Sequence, residues 1–273
     1  WDSLKSIISY ITILFTFIAF LWVERHEKEP IVDLKFFKIR AFSAALLTSF
    51  ISFMGLFGGI FLIPIFAQSF LGYSVTKAGY LFMPMSFAIV IAAAVGARLV
   101  QKIPARFVVA TGMTISSLIL FFLMGEIDIR WTFWDLAWRL VVFAFGLGIG
   151  LSPLTNAATS SVELHEVGVA SSLLALVRNL SGAFGVAIFA TILSNAVTTH
   201  LLELQKYSVI NTTDPTIIKE AMTLMTVKAN VLAYSTVFHV SGFIIFLGAL
   251  SALFVKDTKR KNAPSHESEI VEM

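Results

Sequence analysis

Seven stretches of the chain stay apolar long enough to cross a bilayer as a helix, about 20 residues each, and polar residues separate them. The pattern predicts helices over Leu4–Val23, Phe42–Phe70, Ala78–Val100, Phe107–Met124, Leu136–Ala157, Val167–Leu193 and Ala233–Val255. The second is long and carries Gly55, Gly58, Gly59 and Pro64, so a kink or tilt is expected there. Pro84 lies near the start of the third. Between the last two runs a polar connection, about 195–232, has no continuous apolar span, and its LLELQ and IIKEAMTLM pieces are expected as short surface helices. The composition of 256–273 predicts a disordered tail.

The sixth run is the one with a charge inside it. Arg178 sits far from both of its ends, where a charge costs at least about 2.5–3.5 kcal/mol and so must face protein, water or a partner. At helical period Ser171, Ala175, Arg178, Ser181, Gly182 and Gly185 share one side, and Leu173, Leu180, Phe184 and Ile188 the other. One role for Arg178 is structural, satisfied by carbonyls and by Asn or Ser side chains of neighbouring helices. The other is to line a cavity, binding a substrate anion or pairing with an acid from a segment outside this chain.

Composition fixes the class. Hydrophobic residues make up 57% and charged residues 14%, against roughly half and a quarter in soluble domains, which marks an integral membrane protein. Lysine and arginine orient it: with the first linker in the cytoplasm, twelve fall inside and seven outside, Arg178 apart. The N-terminus is then outside and the tail inside. Trp1, Trp22, Trp131, Trp134 and Trp138 all fall at predicted span ends, as an aromatic belt does. The chain begins at Trp1 with no signal-peptide order, so a longer reading frame is expected.

Chemistry narrows next. Every Asp and Glu lies outside the predicted spans, and there is no cysteine, no HExxH and no glycine-rich loop leading to a Lys-Ser/Thr pair. His165 and His200 are in polar loops, and His239 has no obvious serine neighbour with an orienting acid. No enzyme, metal site, cofactor or nucleic-acid surface is expected. The fifth run carries Gly146, Gly148 and Gly150 before Pro153; Gly146 and Gly150 share a face at a spacing that admits a close helix, and Gly182 and Gly185 do the same in the sixth. Asn156 and Asn179 are read as interhelical hydrogen-bonding residues, and Met54, Met83 and Met85 as an adaptable apolar wall. Asn211-Thr212-Thr213 is a formal glycosylation triplet on the outer side.

Four pieces in order, EPIVDLKFFKIRAF, LGYSVTKAGYLFMP, GARLVQKIPARF and VGVASSLLALVRNLSGAFGVAI, resemble the fourteen-helix drug:proton antiporters of the major facilitator superfamily, the EmrB/QacA type. The resemblance implies an all-α membrane protein in three parts: an extra helix and basic cytoplasmic linker (1–41), a six-helix C-terminal transporter bundle with a long outer loop (42–255), and the tail (256–273). Gly96, Arg98, Lys102 and Arg106 match the second copy of the family's cytoplasmic loop motif, although Val100 and Gln101 stand where its acid is often found, which puts a gating salt bridge in doubt. By analogy the second, third, fifth and sixth helices line the cavity, with Arg178, Asn156 and Met83 as its candidate contacts. The implied function is proton-coupled efflux of drugs or other lipophilic compounds by alternating access, in a bacterial cytoplasmic (inner) membrane. Its partners are a small-molecule substrate, the lipid bilayer, and protons handled through the absent N-terminal half; whether a periplasmic adaptor joins stays open. A transporter of a defined metabolite or siderophore, or a non-transporting membrane sensor or scaffold, are the alternatives.

Overall fold

Each apolar run becomes a helix, and local chemistry decides where each helix starts and stops. The computed structural model describes residues 4–26, 34–208 and 214–255, and all regular structure among them is helical. In order these are α1 (Leu4–His26), α2 (Arg40–Ser69), α3 (Val75–Tyr80), α4 (Phe82–Leu99), α5 (Ala105–Leu118), α6 (Phe133–Thr159), α7 (Val167–Tyr207) and α8 (Pro215–Ala252). Seven spans are long and apolar enough to cross a membrane, α3 and α4 together forming one of them. The expected tail and the Asn211 triplet lie outside the described residues, as does Trp1.

Caps set several of these ends. Ser74 accepts the Lys77 N–H at 3.2 Å to begin α3. Thr132 and Asp135 form a reciprocal capping box at the start of α6, the Thr132 N–H and O–H donating to the Asp135 carboxylate at 2.9 and 2.6 Å. Asp214 accepts the Thr216 N–H at 2.8 Å, with Pro215 in the first turn of α8.

Three expectations change. The third span is not one helix: it breaks at Leu81 into α3 and α4, because Pro84 has no N–H to give the Tyr80 carbonyl. The fourth ends in a π-helical turn, Ile119–Met124, stopped at Gly125, which no residue pattern announced. The polar connection about 195–232 is not a loop with short surface helices. α7 runs unbroken for 41 residues and α8 for 38, so among the described residues of that connection all but Ser208 and Asp214 are helix. No glycine or proline interrupts the sequence from 186 to 214, and polar side chains on a helix in water cost little. At 1.5 Å per residue α7 is about 60 Å long, twice the hydrocarbon thickness, so its last turns stand clear of the bilayer.

The helices pair as α4 on α6, α2 on α7, α5 on α6 and α8, and α7 on α8. Phe42, Phe66, Phe143, Phe189, Tyr234 and Phe238 fill the shared core. α1 takes no part in these pairings, and Ile8, Ile11, Phe15 and Trp22 along it stand exposed. The centre of the bundle is α6, with α4 on one side and α5 on the other. A Cβ on Gly146 would overlap Ser116 and the Gly112 carbonyl of α5, and one on Gly148 would reach Ala92 of α4 at 2.8 Å. Gly150 is looser, its nearest neighbour being Val109 of α5 at 3.5 Å.

Pro153 adds a backbone reason for that closeness. It is buried inside α6 and cannot donate to the Ile149 carbonyl, one turn before it. Gly96 of α4 presses against that same carbonyl: a Cβ on Gly96 would overlap its oxygen. The Cα–H of a glycine can approach a carbonyl released in this way, and a larger residue cannot.

Candidate functional site

Arg178 lies where α2, α6 and α7 meet. Its Nη2 donates to Thr155 Oγ1 of α6 at 2.7 Å, while the Thr155 hydroxyl donates to the Leu151 carbonyl at 2.8 Å. The guanidinium lies over the Phe53 ring of α2, 4.9 Å from its centroid. Nε is buried without a hydrogen-bond partner, and among the described residues no carboxylate reaches the group. The neighbours expected to satisfy this arginine, carbonyls and Asn or Ser side chains, are replaced by one threonine and one aromatic face.

The faces of α7 are close to those expected, with two differences. Ser181, Gly182 and Gly185 are buried, and Leu180, Phe184 and Ile188 exposed. Ser171 and Ala175, however, stand exposed, and Leu173 is buried beside Leu174. Gly182 receives the Phe57 ring, and a Cβ on Gly185 would overlap the Met54 carbonyl, so both glycines serve the α2–α7 contact.

Phe53 also lines a small void of about 10 Å³ between α2, α5 and α6, room for roughly one water, walled by Leu56, Val109, Met113, Leu147, Leu151 and Leu154. Its polar member, Ser52, is spent on the Thr48 carbonyl at 2.7 Å and on Met113 Sδ at 3.4 Å. Phe53 therefore touches both the guanidinium and this small apolar void. Phe53 and Thr155 were missed in the sequence. Thr155 carried a usable signal, as Ser152, Thr155 and Asn156 form a polar cluster around Pro153; Phe53 carried none among 26 phenylalanines.

The other two candidate contacts lie elsewhere. Asn156 is exposed beside an open concavity of about 310 Å³ between the α4–α5 turn and the end of α6, with Lys102, Pro153 and Ser160 on its walls. Met83 is 57% exposed in a shallow groove with Phe82, Ser86, Phe87 and Val90, while Met85 is buried in the core. Asn179 faces an open groove with Phe57 and Ala183. The structure thus does not gather Arg178, Asn156 and Met83 into one pocket.

Of the loop-motif residues, Gly96 is inside α4 at the contact with Ile149, and Arg98, Lys102 and Arg106 are exposed around the turn. Arg106 lies over Phe107 at 4.8 Å, and among the described residues none of the three has an acidic partner. Lys35, in the linker after α1, pairs with Glu166 just before α7 at 2.7 Å. At the other end of the bundle Arg139 lies between Trp131 and Trp138, at 4.0 and 4.7 Å, and Lys77 lies over Tyr73 at 3.9 Å. Partial burial and then the charge of Asp135 push the Tyr73 phenol up from its ordinary pKa.

His239 has a serine nearby after all. Ser235 is one turn before it, 3.5 Å from Nδ1, but its hydroxyl donates to the Gly125 carbonyl and among the described residues no carboxylate orients the ring, which meets Phe121 edge-to-face at 4.8 Å. Among the described residues no three His, Asp or Glu side chains converge as metal ligands do.

Residues 1–186 match the profile of the Major Facilitator Superfamily. Among curated proteins, the chain is 28% identical over 194 residues to the Multidrug transporter protein MdtP of Bacillus subtilis (strain 168), covering 71% of this chain and 36% of that one. It is 33% identical over 211 residues to Multidrug resistance protein 3 of the same strain, covering 74% and 39%. The Quinolone resistance protein NorB of Staphylococcus aureus (strain Newman) is 30% identical over 182 residues, covering 63% and 37%. The chain spans well under half the length of each of these relatives.

Proposed function

The chain belongs to the Major Facilitator Superfamily, and from that premise we propose that it forms one wall of a transporter, and not an enzyme, that exports drugs or other lipophilic compounds. The observation that carries this is the likeness to proteins named as multidrug and quinolone resistance transporters. The structure supports it with a bundle of six spans, α2, α3 with α4, α5, α6, α7 and α8, in which a guanidinium lies against an aromatic ring where α2, α6 and α7 meet.

In this reading the bundle is the C-terminal one of a fourteen-helix EmrB/QacA-type antiporter in a bacterial inner membrane, with α1 as the extra helix. Two bundles rock about a midplane site and expose it to either side in turn. Proton coupling falls to residues outside this chain, since the described spans hold no acid near Arg178. The substrate is held by Arg178 and Phe53, with Asn156 and Met83 at the margins of its path.

The test is made on the complete gene product in bacteria stripped of their own efflux pumps. Expression is expected to lower steady-state accumulation of ethidium and of an unrelated lipophilic dye, and a protonophore to restore it. Accumulation unchanged for every lipophile tried would overturn the proposal, and export confined to one metabolite would move it to the narrower reading.

A further inference from the structure

We infer that His200 is a proton-sensitive clasp between α7 and α8: with its ring protonated it ties their outer ends together, and with the ring neutral it lets them part. The imidazole stands between two groups that accept. On its own helix the Glu203 carboxylate lies 3.4 Å from Nδ1, and across the contact Thr236 Oγ1 of α8 lies 3.0 Å from Nε2. A carboxylate has no proton to give, and the Thr236 hydroxyl donates its own to the Leu232 carbonyl at 3.0 Å. A neutral imidazole has one N–H and serves one of these acceptors; an imidazolium has two and serves both. The neutral ring meets both only if Thr236 withdraws its proton from Leu232, giving up that bond. Protonation therefore adds one hydrogen bond, and a charge pair with Glu203, at the place where the two helices meet.

The surroundings make that one bond count. Beyond Ala196 no described residue of α7 is fully buried, and none of α8 is before Ala229. Few apolar contacts oppose separation there, so a single hydrogen bond is a large share of what holds the ends. A second polar contact, from the Ser208 hydroxyl to Met225 Sδ at 3.8 Å, is weak and carries no charge. Other ionisable groups near this end are engaged elsewhere or lie apart. On α7 Lys206 lies over Tyr207, and Glu163, His165 and Glu166 precede its far end. On α8 Lys228 is two turns before Thr236, Lys219 and Glu220 are farther out, Tyr234 packs on Phe66, and His239 meets Phe121. α6 brings Asp135, held by Thr132, and Arg139, held between Trp131 and Trp138, while Arg40 of α2 is at the opposite end. Histidine changes charge between about pH 5 and 8. Since the proton improves the closed contact and not the open one, acid closes the ends and alkali frees them. In the orientation drawn from the charges these ends stand outside, so it is external acidity that they answer to.

The test places spin labels on Gln205→Cys and Thr223→Cys, both exposed, in the complete gene product freed of any other cysteine and held in lipid nanodiscs. Double electron–electron resonance then reads the distance between them at about pH 5.5 and about pH 8. One short distance is expected in acid, and in alkali a separated population larger by about fivefold, as the loss of one hydrogen bond gives. His200→Gln and Thr236→Val are each expected to give one distribution at both pH values. Glu203→Gln is expected to shrink the response, and His239→Gln to leave it unchanged.

The same distribution at both pH values with His200 in place overturns the inference, and that comparison needs no substitution in the clasp. So does separation on acidification, which reverses the sign. A response that survives His200→Gln, or that vanishes with His239→Gln, overturns the assignment to His200. The clasp stands or falls on these distances whatever the protein carries, so failure of the transport reading is told apart by the accumulation assay alone.

Discussion

Gly96→Ala tests the contact between α4 and α6 with a single methyl group. The Cβ it adds would overlap the Ile149 carbonyl oxygen, well inside the roughly 3.3 Å that carbon and oxygen normally keep. A side chain could rotate away from the intruder, but a backbone carbonyl in a buried helix cannot. The whole of α4 must therefore move off α6 by about 1 Å, opening the packing around Ala92 and Gly148. Overpacking of this kind costs about 1–3 kcal/mol. In a domain of this size that is a fall in Tm of roughly 2–12 °C. The assay is thermal unfolding of the detergent-solubilised protein, with Gly79→Ala as control. Gly79 has open space around it, so there alanine is expected to be neutral or to stabilise by about 0.5–1 kcal/mol. Pro153→Ala returns an N–H to the Ile149 carbonyl and draws it back towards its own helix. Combined with Gly96→Ala it is expected to recover part of the loss, a coupling that a double-mutant cycle measures. If Gly96→Ala melts with the unaltered protein and the Gly79→Ala control, the argument from the released carbonyl is wrong.

Further outcomes follow from the same structure. The chain has no cysteine, so single ones report topology: Leu164→Cys is expected to stay unlabelled by an impermeant maleimide in intact cells and Val75→Cys to label, both side chains being about three-quarters exposed at 75% and 74%; the reverse pattern would invert the orientation drawn from the charges. Ser117→Ala removes the 2.7 Å bond to the Gly242 carbonyl between α5 and α8 and is expected to cost about 0.6 kcal/mol, read as a small fall in Tm. Arg139→Met takes the cation from between Trp131 and Trp138, an expected loss of about 0.5–1 kcal/mol with a change in tryptophan emission; unchanged emission would count against that stacking. His200→Ala breaks the 3.0 Å contact with Thr236 that ties α7 to α8, and amide exchange is expected to quicken beyond residue 194 and not within the bundle.

Spans were legible because a bilayer imposes a coarse rule, and about 20 apolar residues in a row satisfy it without regard to packing. Arg178 was legible for the complementary reason: a charge inside such a run violates the rule and so calls for an explanation. Its partner was not. Thr155 is 23 residues away on another helix, and only the packing of α6 on α7 brings the two together. Gly146 and Gly182 could be read as contact points, but not what each would touch, since spacing gives a face and not a neighbour. Apolarity misled only at the ends of α7 and α8, where it ceases while the helix continues; the capping Asp214 and Pro215 were the better guide there. Asn156 and Met83 were placed with Arg178 by analogy, and residues on three different helices share a pocket only if the bundle's rotation allows it.

The continuation of α7 and α8 beyond the bilayer makes a lever. Fourteen residues of α7 past Leu193 extend it by about 20 Å as an unbroken rod, tied sideways to α8 through His200 and Thr236. Rods transmit rotation without attenuation. Any tilt of these two helices at the level of Arg178 therefore reaches their outer tips as a larger sideways sweep, in water, where a spectroscopic label disturbs no packing. A probe near Tyr207 would act as the pointer of a gauge whose pivot is buried in the membrane, reporting movements too small to follow at the pivot itself.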